Sequence, residues 1–175
     1  MKTKVLILLV PLCLQMACQQ KTEIIQKEVI DFEKEEEAIK EVIIAESRAF
    51  WAKDYRTWAD QWAHEDYVRV LGWWERGGVY VREGWGEISA DIKSLMERNP
   101  EPNPQNEINK NYNIRISKTM AWVTFDQYGS DTGEVEVDMP GKTPNTRVLE
   151  KVNGKWKIVY VGWLLEGTSD ENEGN

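Results

Sequence analysis

Three kinds of residue in this chain have the chemistry to hold or change another molecule: a carboxylate flanked by aromatic rings, a large set of tryptophans, and a cysteine behind an apolar leader. Strand parity over residues 120–128 places Met120, Trp122, Thr124 and Asp126 on one face, and over residues 155–165 it groups Trp156, Ile158, Tyr160, Gly162 and Leu164. If these faces line a cavity, Asp126 is the only carboxylate among them. A carboxylate beside indole rings loses hydration, so it either takes up a proton or pairs with a donor. Such a group serves as a general base, with Tyr160 donating to a developing oxyanion, or as an anchor for a ligand amine or hydroxyl. The competing reading is an exposed acid near a strand end. Trp58, Trp62, Trp85 and Trp122 either line a site for a flat apolar molecule or pack a core.

His64 is the one histidine. It lies in Ala63-His64-Glu65-Asp66, a polar junction where an exposed structural role is expected. No His/Cys spacing supports a metal site, so neither metal nor other cofactor is expected. The formal charge is −8 at pH 7, and losing Lys2 and Lys4 with the leader makes the remainder more acidic still. So acidic a chain repels phosphate backbones, and nucleic acid is not an expected partner.

At the start, Lys2 and Lys4 precede the apolar run Val5-Leu6-Ile7-Leu8-Leu9-Val10-Pro11-Leu12-Cys13-Leu14, too short to span a bilayer. This reads as an export signal. Ala17-Cys18 follows where a signal peptidase would cut, and the stretch resembles the lipobox of bacterial lipoproteins, with Gln15 where that motif usually carries Leu. The resemblance implies a lipid on Cys18 and anchoring in the bacterial cell envelope. Cleavage after Ala17 by the ordinary peptidase, or an uncleaved anchor, are the alternatives. Cys13 would leave with the leader, and no intramolecular disulfide is then possible.

The expected layout is a signal peptide over residues 1–17, a charged tether over 18–36 that can also be the frayed start of a helix, one domain over 37–166 and an acidic tail over 167–175. Ile39, Val42, Ile43, Glu46 and Phe50 recur at helical spacing, which predicts a helix ending near Lys53. Asp54 can cap a second, shorter helix carrying Tyr55, Trp58 and Trp62 on one side. Residues 67–74 and 79–82, joined by Arg76-Gly77-Gly78, read as a hairpin, and Trp85, Ile88, Ile92, Leu95 and Met96 as a third helix. Apolar runs at 112–117, 120–128 and 147–152 follow, and Asn153-Gly154 turns the last into residues 155–165. A polar loop is expected over residues 130–145.

This order resembles the nuclear transport factor 2-like superfamily. Ala49-Phe50-Trp51-Ala52-Lys53-Asp54-Tyr55 looks like its first helix–helix junction, Gly84-Trp85-Gly86-Glu87-Ile88 like the start of its third helix, and residues 121–128 like its fourth strand. Thr146-Arg147-Val148-Leu149-Glu150-Lys151-Val152-Asn153-Gly154-Lys155-Trp156-Lys157-Ile158-Val159-Tyr160 is similar to the closing hairpin of SnoaL-like proteins and of the association domain of calcium/calmodulin-dependent kinase II. The resemblance implies an α+β fold in which a curved antiparallel sheet wraps helices into a cone.

Enzymes of that superfamily place a carboxylate in the cone, often with a histidine or tyrosine. Here Tyr160 and Gly162 stand where many relatives carry His-x-His, which removes the usual proton-transfer residue. Arg147 matches a position where kinase association domains have an arginine, so it can pair with an acidic ligand or with Asp126. The resemblance also implies a homodimer through the outer sheet face, for which Trp73, Trp74, Val159, Val161 and Trp163 are the apolar candidates. The leading expectation is a small-molecule-binding envelope lipoprotein. The alternatives are an isomerase, cyclase or dehydratase using Asp126 as base, and a dimerising module with a filled cone.

Overall fold

The computed structural model describes residues 30–74, 78–103, 108–128 and 142–164. The leader with Cys18, the acidic tail and most of the expected polar loop lie outside these residues.

Helix α1 (Phe32–Trp51) begins inside the stretch read as tether, because its charged first turn has partners. The Asp31 side chain accepts from the Lys34 amide, satisfying one of the donors that a helix start leaves open. Glu35 accepts from Lys151 Nζ at 2.6 Å and from Trp156 Nε1 at 2.7 Å. The apolar stripe then buries Ile39, Ile43 and Ala49. Lys53, at φ 60°, lies between the helices, and Asp54 caps α2 (Tyr55–Asp60) by accepting from the Thr57 amide. Helix α3 (Gly84–Arg98) buries Ile88 and Met96.

The strands are β1 (Arg69–Trp74), β2 (Gly78–Glu83), β3 (Ile108–Ser117), β4 (Met120–Tyr128), β5 (Thr143–Val152) and β6 (Lys155–Leu164). Strands β3 and β5 begin several residues before their apolar runs, in polar sequence that pairing with β4 recruits into the sheet. All six form one curved sheet in the order β2-β1-β6-β5-β4-β3. Neighbours are antiparallel except β1 and β6, which run parallel with Arg69 beside Tyr160. At the β5–β6 turn Asn153 and Gly154 both have positive φ, 52° and 79°, the backbone that a type I′ hairpin requires.

Opposed residues share a face, so the register reads out the inner wall. Toward one end lies the apolar row Ile116, Ala121, Leu149 and Ile158. Beyond it come Ile114, Val123, Arg147, Val161, Val70 and Arg82, and then Phe125, Asn145, Trp163, Gly72 and Tyr80. Ile39, Ile43, Trp58, Trp62 and Ile88 from the helical side complete the core.

One irregularity changes the parity of β6. Leu149 pairs with Ile158 but Val148 pairs with Tyr160, so Val159 is the extra residue of a β-bulge. Trp156 and Ile158 therefore share the inner face with Val161 and Trp163. Tyr160, Gly162 and Leu164 turn outward. Val159 and Val161 are each 6% exposed, which corrects the expectation that they and Trp163 form an outer apolar surface.

Candidate functional site

Strand β4 presents Ala121, Val123 and Phe125 inward, leaving Met120, Trp122, Thr124 and Asp126 on the outer face. The expectation that Trp122 and Asp126 line the cone is thus reversed. Trp122 is 44% exposed. Asp126 accepts from Asn111 Nδ2 at 2.7 Å and pairs with Lys142 Nζ at 3.3 Å. The Asn111 bond, helped by Lys142, holds its carboxyl below the ordinary value despite partial burial. Tyr160 also faces outward, its hydroxyl over Gly162. Asp126 and Tyr160 therefore do not form a base and oxyanion donor within the cone.

Arg147 does face inward, and so cannot meet Asp126. Its side chain is buried among Asn145, whose Oδ1 accepts at 2.7 Å, the Thr146 carbonyl at 3.2 Å, and the Phe125 ring, 5.5 Å from the guanidinium carbon. Tyr112 stacks on the same Phe125 ring at 5.1 Å. Asn145 is also buried, with Nδ2 donating to the Thr143 carbonyl at 2.9 Å and reaching Gln127 Oε1 at 3.4 Å. Asn109 pairs in register with Gln127, and its side-chain oxygen is buried with no hydrogen-bond partner. A buried orphan acceptor is costly unless water or a ligand serves it. The inner wall thus changes along the strands from aliphatic to polar and aromatic.

At the other edge of the same wall, Tyr80 Oη donates to Asp91 Oδ2 at 2.5 Å and Arg82 Nε donates to that oxygen at 3.1 Å. Burial pushes the Asp91 carboxyl up, but the bonds from Tyr80 and Arg82 outweigh it and hold the group ionised at neutral pH. Burial and the Asp91 bond push the Tyr80 phenol above its ordinary value. This trio is fixed in one protonation state and anchors β2 to α3. A further carboxylate, Glu46 of α1, accepts from Trp58 Nε1 at 2.8 Å. Its place in the apolar stripe of the first helix was the sequence signal for an inward acid; Asp91, between Ile88 and Ile92, carried a similar one.

Trp58 and Trp62 are core residues, 1% and 3% exposed. Trp85, half-buried, stacks on Trp58 at 5.7 Å. These rings pack against one another, which accounts for them without a ligand. His64 is exposed as expected, but it is not loose: its ring lies on Trp85 at 4.0 Å and 8°. Among the described residues no cluster of His, Cys, Asp and Glu is arranged to hold a metal ion, and no helix is long and apolar enough to cross a membrane.

This architecture, a curved mixed sheet closed by helices on its inner side, is the nuclear transport factor 2-like fold. Among solved structures, the chain is similar to a nuclear transport factor 2-like protein of unknown function from Shewanella baltica, with TM-score 0.56 and 17% identity over 79% of this chain and 98% of the other. A protein from Streptomyces avermitilis, provisionally described as a dehydratase of the same family, gives TM-score 0.58 and 15% identity over 77% and 98%. A calcium/calmodulin-dependent protein kinase type II association domain, so assigned provisionally, from Thiobacillus denitrificans gives 0.59 and 14% over 73% and 94%. No family model and no curated protein matches the sequence.

Proposed function

We propose that this chain is a lipid-anchored envelope protein whose cone binds a small, flat, largely apolar molecule carrying an anionic group, without chemistry of its own. The observation that carries the reading is the polar patch on the inner wall. Arg147, Asn145 and the Asn109 oxygen are buried where a filled core would continue the aliphatic rows, and the half-buried Tyr112 and Trp163 supply flat surfaces beside them. In this reading Arg147 meets the anion and the rings take the body. The outward position of Asp126 and the fixed protonation of Asp91 favour binding over proton transfer.

Native mass spectrometry of protein purified from its own cells tests this. A retained small molecule is expected on the wild type and lost from Arg147→Met, which keeps side-chain volume while removing the charge. A charge-assisted hydrogen bond of this kind contributes about 1.5–3 kcal/mol, so occupancy should fall by more than tenfold. A wild type that carries no ligand, or an Arg147→Met protein that keeps it, sinks the proposal.

A further inference from the structure

Residues of α2, the segment after it and the start of α3 border an open hollow of about 770 Å³ lined by Tyr55, Arg56, Asp60, His64 and Trp85 and by none of the inner-wall residues of the sheet. Its floor is the end of a column of rings. Trp58, buried, carries Trp85 on one side at 19° between planes, and Trp85 carries His64 at 8° and 4.0 Å. His64 Nε2 lies 2.9 Å from the Ala59 carbonyl. A carbonyl only accepts, so Nε2 is the protonated nitrogen and the ring is held against rotation. An exposed imidazole fixed by stacking and by a backbone bond is a preorganised platform, on which another ring can settle without paying to order it.

The charges around the platform are unequal. Asp60, one helical turn after Arg56, is occupied by Lys157 at 3.2 Å. Arg56 is exposed and forms no salt bridge among the described residues; its nearest electrostatic partner is the helix-capping Asp54, whose carboxyl already bonds Thr57. Arg56 is the one Arg or Lys among the lining residues, and its guanidinium beside an open aromatic floor favours a negative charge on whatever stacks there.

We propose that this hollow binds a flat aromatic anion, its ring on the outer face of His64 as the next member of the Trp58–Trp85–His64 column and its carboxylate against Arg56. The site is separate from the cone and does not depend on Arg147.

The single histidine makes the test direct, because its Cε1–H is one proton resonance. Titrating the full-length chain in detergent with 2-naphthoate should move that resonance upfield by ring-current shielding, with saturation. Cyclohexanecarboxylate, an anion without a π face, should leave it in place. Arg56→Gln should weaken 2-naphthoate binding about fivefold to tenfold, in line with about 1–1.4 kcal/mol. Arg147→Met should leave it unchanged, which separates this site from the cone. The proposal is overturned by a His64 signal that stays fixed at millimolar 2-naphthoate, by an equal response to cyclohexanecarboxylate, or by an unaltered affinity in Arg56→Gln.

Discussion

The indole of Trp163 lies across Gly72 so closely that a Cβ on that glycine would fall 2.2 Å from Cε2. The missing side chain lets the ring lie over β1 toward Tyr80, 6.3 Å away. Gly72→Ala should therefore destabilise the protein by about 1–3 kcal/mol, the usual range for overpacking. In a Trp163→Ala background the same change should cost much less. Urea unfolding of the four proteins measures the coupling, and additive effects would show that the indole moves aside freely.

Glu35 joins the first turn of α1 to the last hairpin through Lys151 and Trp156. The Lys151 bond, opposed by burial and aided by Trp156, lowers its carboxyl pKa on folding. A depressed folded pKa gives stability that is complete above the unfolded value, about 4.3 for glutamate, and is lost as pH falls through the folded one. Glu35→Gln should cost about 1–2 kcal/mol at neutral pH. The gap to wild type should close in acid; a gap of constant size would remove ionisation from the explanation.

The outward residues of β1, β2 and β6 form an apolar surface in register, with Val79 74% exposed, Leu164 56% and Trp73 41%. Leu71 and Val81 extend it. An apolar patch of this kind is suited to a second copy of the chain. Sedimentation of the leaderless chain at micromolar concentration should report a dimer, and Trp73→Lys a monomer. A monomeric wild type would mean that the patch serves another partner or none.

Lipid on Cys18 should send the mature protein into detergent on phase partitioning and add a lipid-sized mass at its N-terminus. Cys18→Ser should abolish both. Wild-type protein that stays aqueous with an unmodified N-terminus rules out the anchor.

The element order was legible because each helix announces itself through spacing and capping, as at Ile39, Ile43 and Asp54, and because Asn153-Gly154 admits few geometries. The inner wall was less legible, since parity says which residues share a face but not which face turns inward. On β4 the exposed tryptophan, Trp122, outweighed the smaller Ala121 and Val123 in that choice. On β6 the bulge at Val159 broke the alternation, and a single inserted residue leaves no compositional trace when its neighbours are all apolar. Arg147 faces inward for a reason that spacing could not supply: it sits opposite Val123 and Val161.

The parallel seam between β1 and β6 sets the order in which this chain can fold. Synthesis delivers β1 early and β6 last, so the inner faces of Val68 and Val70 wait for a neighbour while most of the protein is made. A two-stranded hairpin such as β1–β2 is marginal in water by itself, and joining it to the far end of the sequence means closing a long loop before any contact repays the lost entropy. The seam between β1 and β6 therefore closes only after β6 has been made. A chain stopped before Tyr160 leaves its first hairpin without the strand that secures it.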